Sequence, residues 1–127
     1  MQRKRVPTGA PWAKTVGYSR AVRVGNHVFV SGTAPVGEDG EIVAPGDAYL
    51  QARKCLEIIV GALREAGAGP EHVVRTRMFV RKPEMWEDVG RAHGEIFGDV
   101  LPATTMVFVD FIHPEMMVEI EADAVLD

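Results

Sequence analysis

Met117-Val118-Glu119-Ile120-Glu121-Ala122-Asp123-Ala124-Val125, read with Leu101-Pro102-Ala103-Thr104-Thr105-Met106-Val107-Phe108-Val109 before it, decides the fold. In both runs apolar and β-branched residues recur with a period of two, the spacing of a β-strand. In the last run Val118, Ile120, Ala122 and Ala124 make a dry row, while Glu119, Glu121 and Asp123 share the opposite side. Three carboxylates on one side of a strand repel one another and resist burial unless something compensates. That row must meet water, cations or a ligand. Glu119 or Glu121 is therefore expected beside whatever the protein binds.

Working outward, Ala21-Val22-Arg23-Val24, Gly25-Asn26 and His27-Val28-Phe29-Val30-Ser31-Gly32 read as a hairpin with a tight turn. Residues 33–46 hold Pro35, Gly37, Gly40 and Pro45, which makes them a loop with a turn at Glu38-Asp39-Gly40. Asp47 can cap a helix whose apolar stripe is Ala52, Cys55, Leu56, Ile59 and Leu63, and which stops near Gly67 and Gly69-Pro70. A strand over 73–80 follows, then Pro83, then a helix over about 85–97 that Gly98 ends.

The expected order is β-β-α-β-α-β-β, a single α+β domain over residues 1–127, with residues 1–15 as a partly disordered or extended arm. Two helices of this length can cover one face of a mixed sheet and leave the other bare. The bare face is expected to carry Arg75, Arg77 and Phe79, the carboxylates, and Thr104, Met106 and Phe108. Large apolar groups mixed with opposite charges suit a subunit interface.

Composition excludes several classes. The chain has 127 residues, 46% of them hydrophobic and 25% charged, as in ordinary globular domains. A net charge of −4 speaks against a nucleic-acid partner. No apolar run reaches the roughly 18 residues of a membrane span, and no apolar region of a signal peptide follows Arg3-Lys4-Arg5. The lone cysteine, Cys55, excludes an internal disulfide and fits a reducing, cytoplasmic setting. His27, His72, His93 and His113 show no metal-ligand spacing, so no metal site is expected.

The chain resembles the RidA/YjgF family of reactive intermediate deaminases. The resemblance rests on Gly17-Tyr18, Val24-Gly25-Asn26, Val30-Ser31-Gly32 with Pro35, Gln51-Ala52 with Leu56, and Ala66-Gly67. It continues through Val73-Val74-Arg75-Thr76, Phe79-Val80, Phe97, Pro102-Ala103 and Glu119-Ile120-Glu121-Ala122. It implies a fold like that of the small trimeric chorismate mutases, with two helices on one side of a mixed sheet. It also implies a homotrimer with clefts between subunits, and hydrolysis of small enamines or imines to a 2-oxo acid and ammonia without metal or organic cofactor.

Residue by residue, the resemblance makes Glu119 the holder of the attacking water, a task a carboxylate performs by orienting it and shuttling its proton. The alternative for Glu119 is an interface carboxylate paired to Arg75 or Arg77. Tyr18 either covers the ligand or packs at the hairpin entrance. Ser31 and Gly32 either offer backbone to a ligand or mark a strand end. The deaminating members carry, directly after Pro-Ala, an arginine that forks onto the substrate carboxylate. Here that position is Thr104, followed by Thr105 and Met106 where Ser-Cys is common. Thr104 either takes a neutral group or is simply a strand residue, and Met106 lines the cleft. Gly90 replaces a frequent asparagine, and His93 replaces an aromatic wall or serves packing alone. These departures place the chain with arginine-lacking branches of the family and leave open whether Arg20 or Arg23 reaches the cleft.

Two function classes follow: a hydrolase of C=N bonds acting on enamine, imine or aminomuconate-like substrates, or a non-catalytic binding or sensing trimer. Retained Glu119 favours the first, and the missing arginine favours the second.

Overall fold

The computed structural model describes residues 2–127. Its strands are β1 (Arg3–Val6), β2 (Ala21–Val24), β3 (His27–Thr33), β4 (Val73–Val80), β5 (Ala103–Phe108) and β6 (Val118–Val125). The helices are the single turn α1 (Ala13–Val16) and the longer α2 (Ala48–Glu65) and α3 (Trp86–Phe97). One six-stranded sheet runs in the order β1-β2-β3-β6-β4-β5. The β4–β5 pair is parallel and every other pair antiparallel, so the sheet is mixed and the class is α+β.

The long helices form where their signals stand. Asp47 caps α2, its carboxylate accepting from the Leu50 amide at 2.9 Å. Gly67, at φ 88°, takes the left-handed step that turns the chain away after α2. The stripe Ala52, Cys55, Leu56, Ile59 and Leu63 is fully buried against Val118, Ile120, Ala122 and Ala124 of β6 and Val28 and Val30 of β3. Val89, Ala92 and Phe97 of α3 complete this layer. Burying each large side chain contributes roughly 1.5–3 kcal/mol, enough to fix both helices on this one face. Gln51, also fully buried, accepts from the Met117 amide and donates to the Glu115 carbonyl, tying α2 to the segment that leads into β6.

The opposite face carries the carboxylate row. Arg75, Arg77 and Phe79 share this face as expected, and across β4 and β6 Arg75 stands beside Asp123, Arg77 beside Glu121 and Phe79 beside Glu119. On β3, Phe29 stands beside Asp123 and is half exposed.

The structure overturns one expectation. Thr104, Met106 and Phe108 are not on the bare face. Parallel pairing sets them beside Thr76, Met78 and Val80, on the helix side, and puts Ala103, Thr105 and Val107 on the bare face. Both rows of β5 are apolar or β-branched, so alternation had no polarity contrast with which to choose a side. Within the segment expected as a partly disordered or extended arm, Arg3 to Val6 are extended and pair along β2 in antiparallel register, with Val6 buried. Three charged residues in four hide the strand signal, but they suit an edge, where exposed cations discourage further pairing. Met1 of the expected arm lies outside the described residues.

Candidate functional site

The predicted residues form two clusters that do not meet within one chain. The first gathers at the β3–β6 junction. Between the pairs Val30–Ala122 and Thr33–Ile120, the two residues Ser31 and Gly32 face Glu121 alone, a β-bulge. The bulge brings Gly32 against the Glu119 carboxylate so closely that a Cβ on Gly32 would collide with it. Glycine leaves the carboxylate room in this position. The Ser31 hydroxyl donates to the Ser19 carbonyl at 2.7 Å, which fixes the Tyr18-Ser19 segment beside the bulge.

Arg20 belongs to this cluster and Arg23 does not. The Arg20 guanidinium donates to the Gly32 carbonyl and the Thr33 hydroxyl, both at 2.9 Å, and lies 6.0 Å from the centre of the Tyr18 ring. Arg23 instead donates to the carbonyls of Gly25 and Ala66, at the far end of β2. Its position in the sequence flagged Arg20 only as a nearby cation; its reach across the bulge is a product of folding.

The three carboxylates are not equivalent. Arg77 bridges Glu121 at 3.1 Å and Asp123 at 3.3 Å. Among the described residues no cation pairs with Glu119. Partial burial, and then the neighbouring Glu121 charge, push the Glu119 carboxyl above its ordinary pKa of 4.5, while Arg20 works in the opposite direction. Within the single chain Arg77 is taken up by Glu121 and Asp123, and neither Arg75 nor Arg77 bonds Glu119.

The second cluster lies on the helix side at the β5 edge. His93 Nε2 is 2.8 Å from the Thr76 hydroxyl, which is 2.7 Å from the Thr104 hydroxyl. Thr76 is fully buried, Thr104 is exposed, and Met106 packs partly against the core. Half-burial lowers the His93 pKa, and its ring lies 4.8 Å from that of Phe97. Thr76 is the residue that reading the sequence missed: a threonine in a strand looks like a β-former and gives no sign of linking two other positions.

Cys55 is fully buried and its thiol is pushed far up by burial, so it is no nucleophile. Among the described residues no group of three or more His, Cys, Asp or Glu side chains is placed to hold a metal ion, and no helix is long and apolar enough to cross a membrane.

A mixed sheet backed by two helices, with a half-buried carboxylate set against a glycine bulge, defines an α+β protein of the chorismate-mutase-like class. The chain belongs to the RidA/YjgF family: residues 8–126 match the family described as Endoribonuclease L-PSP. Mycobacterium tuberculosis Rv2704, a member of the YjgF/YER057c/UK114 family, superposes with a TM-score of 0.88 at 42% identity, over 98% of this chain and 100% of that one. The 3-aminoacrylate deaminase RutC of Acinetobacter baylyi is 31% identical over 94% of each chain. E. coli TdcF, whose crystal structure contains bound serine, superposes with a TM-score of 0.82 at 27% identity, over 97% of this chain and 94% of that one.

Proposed function

We propose that this chain hydrolyses the C=N bond of small enamine, imine or aminomuconate-like substrates without a cofactor, with Glu119 orienting the attacking water. The observation that carries this reading is the state of Glu119: half-buried, set against Gly32, and left without a cation while Arg77 neutralises its two neighbours. A carboxylate used only for assembly would be expected to share that cation. The raised pKa makes Glu119 a stronger base than a solvated carboxylate, and a base whose pKa moves toward working pH transfers protons more readily.

In the reaction, Glu119 accepts a proton from water as the oxygen bonds to the imine carbon and the C=N electron pair moves to nitrogen. The carboxyl then returns the proton to that nitrogen. Glu119 next takes the hydroxyl proton and passes it to the same nitrogen as the C–N bond breaks and the carbonyl forms, so that the nitrogen leaves as ammonia. The Arg20-clamped Gly32 and the Tyr18 ring border the space in which this occurs.

The reading includes a homotrimer. The two clusters lie on opposite faces of one sheet, so a ligand touching both Glu119 and Thr104 needs them from different subunits. Sites of this kind are common where subunits meet. RutC is named for deamination of an enamine acid, and TdcF holds an amino acid, which agree with a small polar ligand. RNA cleavage, the activity in the family description, is not part of this reading, because the chain carries a net charge of −4.

The test is ammonia release from a panel of enamine precursors by the wild-type protein and by Glu119→Gln. Loss of release in the variant with retained assembly supports the reading. A non-catalytic binding protein, which Thr104 in place of arginine favours, would bind ligands without releasing ammonia in either form.

A further inference from the structure

The hydroxyl at Thr104 is held in a chain that reaches into the fold. His93 on α3, Thr76 on β4 and Thr104 on β5 are linked at 2.8 and 2.7 Å, and the middle member is fully buried. A buried hydroxyl with two partners must donate to one and accept from the other, so the chain has a direction. Where His93 Nε2 accepts, Thr76 donates to it, Thr104 donates to Thr76, and the Thr104 lone pairs face outward. Where Nε2 donates, Thr76 donates to Thr104, whose own proton goes to the Pro102 carbonyl at 3.3 Å and leaves a lone pair facing outward. In both arrangements the exposed end is an uncharged acceptor.

Among the described residues, none of the three side chains bonds a charged group. One helical turn before His93, Gly90 has open space where a side chain would stand, so that flank of α3 is uncovered. A carboxylate placed here would leave water for a site with no cation, which is costly. A primary amide or hydroxyl can donate to the Thr104 lone pair in either arrangement, which a carboxylate cannot do.

We propose that His93, Thr76 and Thr104 form a hydroxyl relay that makes the β5 edge a subsite for an uncharged amide- or hydroxyl-bearing end of the ligand. The inference rests on the cleft reading above and names the ligand class at one end of it. Thr104 contacts the ligand; His93 and Thr76 are positioning residues acting through it.

The experiment follows backbone amide and His93 imidazole NMR signals of the assembled protein during titration with pyruvamide and, separately, pyruvate. Pyruvamide is expected to perturb Thr104, Thr76 and His93 with a Kd at least ten-fold lower than pyruvate. Thr104→Val should abolish that preference, Thr76→Ser should keep it, and Thr76→Val should weaken it while leaving Glu119 and Gly32 signals in place. Equal or tighter binding of pyruvate at Thr104 would overturn the proposal. So would preference unchanged in Thr104→Val, or no perturbation of Thr104 and His93 by either compound. Perturbation confined to Glu119 and Gly32 would remove the relay alone, whereas silence at both clusters would remove the cleft reading with it.

Discussion

Gly32 and Glu119 face each other across the β3–β6 bulge with no space for a side chain on Gly32. The atoms in the way belong to the far end of a flexible glutamate, so the fold can absorb an added methyl by moving the carboxylate. Gly32→Ala is therefore expected to fold with a melting temperature within a few degrees of wild type, since Gly→Ala at a compatible backbone itself adds about 0.4–1 kcal/mol. Ammonia release should fall at least ten-fold, because the displaced carboxylate no longer holds water at the bulge. Calorimetry alongside the release assay checks both halves, and full activity in Gly32→Ala would show that this contact is incidental.

Glu119→Gln should stabilise the protein while inactivating it. The folded pKa of Glu119 lies above its ordinary value of 4.5, so the native state binds its proton more tightly than the unfolded chain does. Stability from this group is therefore lost as pH rises from 4.5 through the folded value. The variant should gain stability over wild type at pH 7, and the gain should vanish below pH 4. Denaturant midpoints at several pH values measure it. A loss of stability at pH 7 would mean that Glu119 is satisfied by a cation in the assembly.

Arg77→Glu should loosen the proposed trimer. Arg77 neutralises Glu121 and Asp123, and reversing it would place three negative charges on one patch. As each pair is partly exposed, the lost attraction is modest, on the order of 1 kcal/mol or less, and repulsion supplies the larger effect. Light scattering across micromolar concentrations should show trimers for wild type and smaller species for the variant. A monomeric wild-type protein would defeat the trimer outright.

Thr104→Arg should raise turnover of 2-iminopropionate and 2-iminobutyrate. Wild-type activity on these acids should be weak, because a threonine cannot fork onto a carboxylate. Hydrogen bonds to charged groups contribute roughly 1.5–3 kcal/mol each, so gaining the pair corresponds to about two orders of magnitude. Robust wild-type turnover would mean that another cation, such as Arg20, whose charge acts on Glu119, already does this work.

Alkylation of Cys55 should be slow in the native protein. The side chain is inaccessible and its thiol is held far from ionising, so reaction requires opening of the α2–β6 contact. Thiol titration with and without denaturant measures it. Rapid native labelling would show that α2 detaches readily.

The sequence by itself determined the elements and their order from the hairpin onward. Alternation in residues 118–125 separated a dry row from three carboxylates, and helical spacing with Asp47 and Gly67 at its ends set α2. These signals are local, carried by residues within one or two turns of each other, and so survive without knowledge of neighbours. The ordered motifs of the family were equally legible. Tertiary structure alone decided which strand lies beside which, and the candidate site depends on that. The parallel register of β5 against β4 turned Thr104 toward Thr76 and away from Glu119. Arg77 stands across from Glu121, and no cation among the described residues pairs with Glu119. The β3 bulge carried Gly32 to Glu119 and let Arg20 hold it. A strand's alternation says which residues share a face but not which face is turned inward when both are apolar. It says nothing of a partner forty or ninety residues away, because that choice is made by the packing energy of the whole sheet.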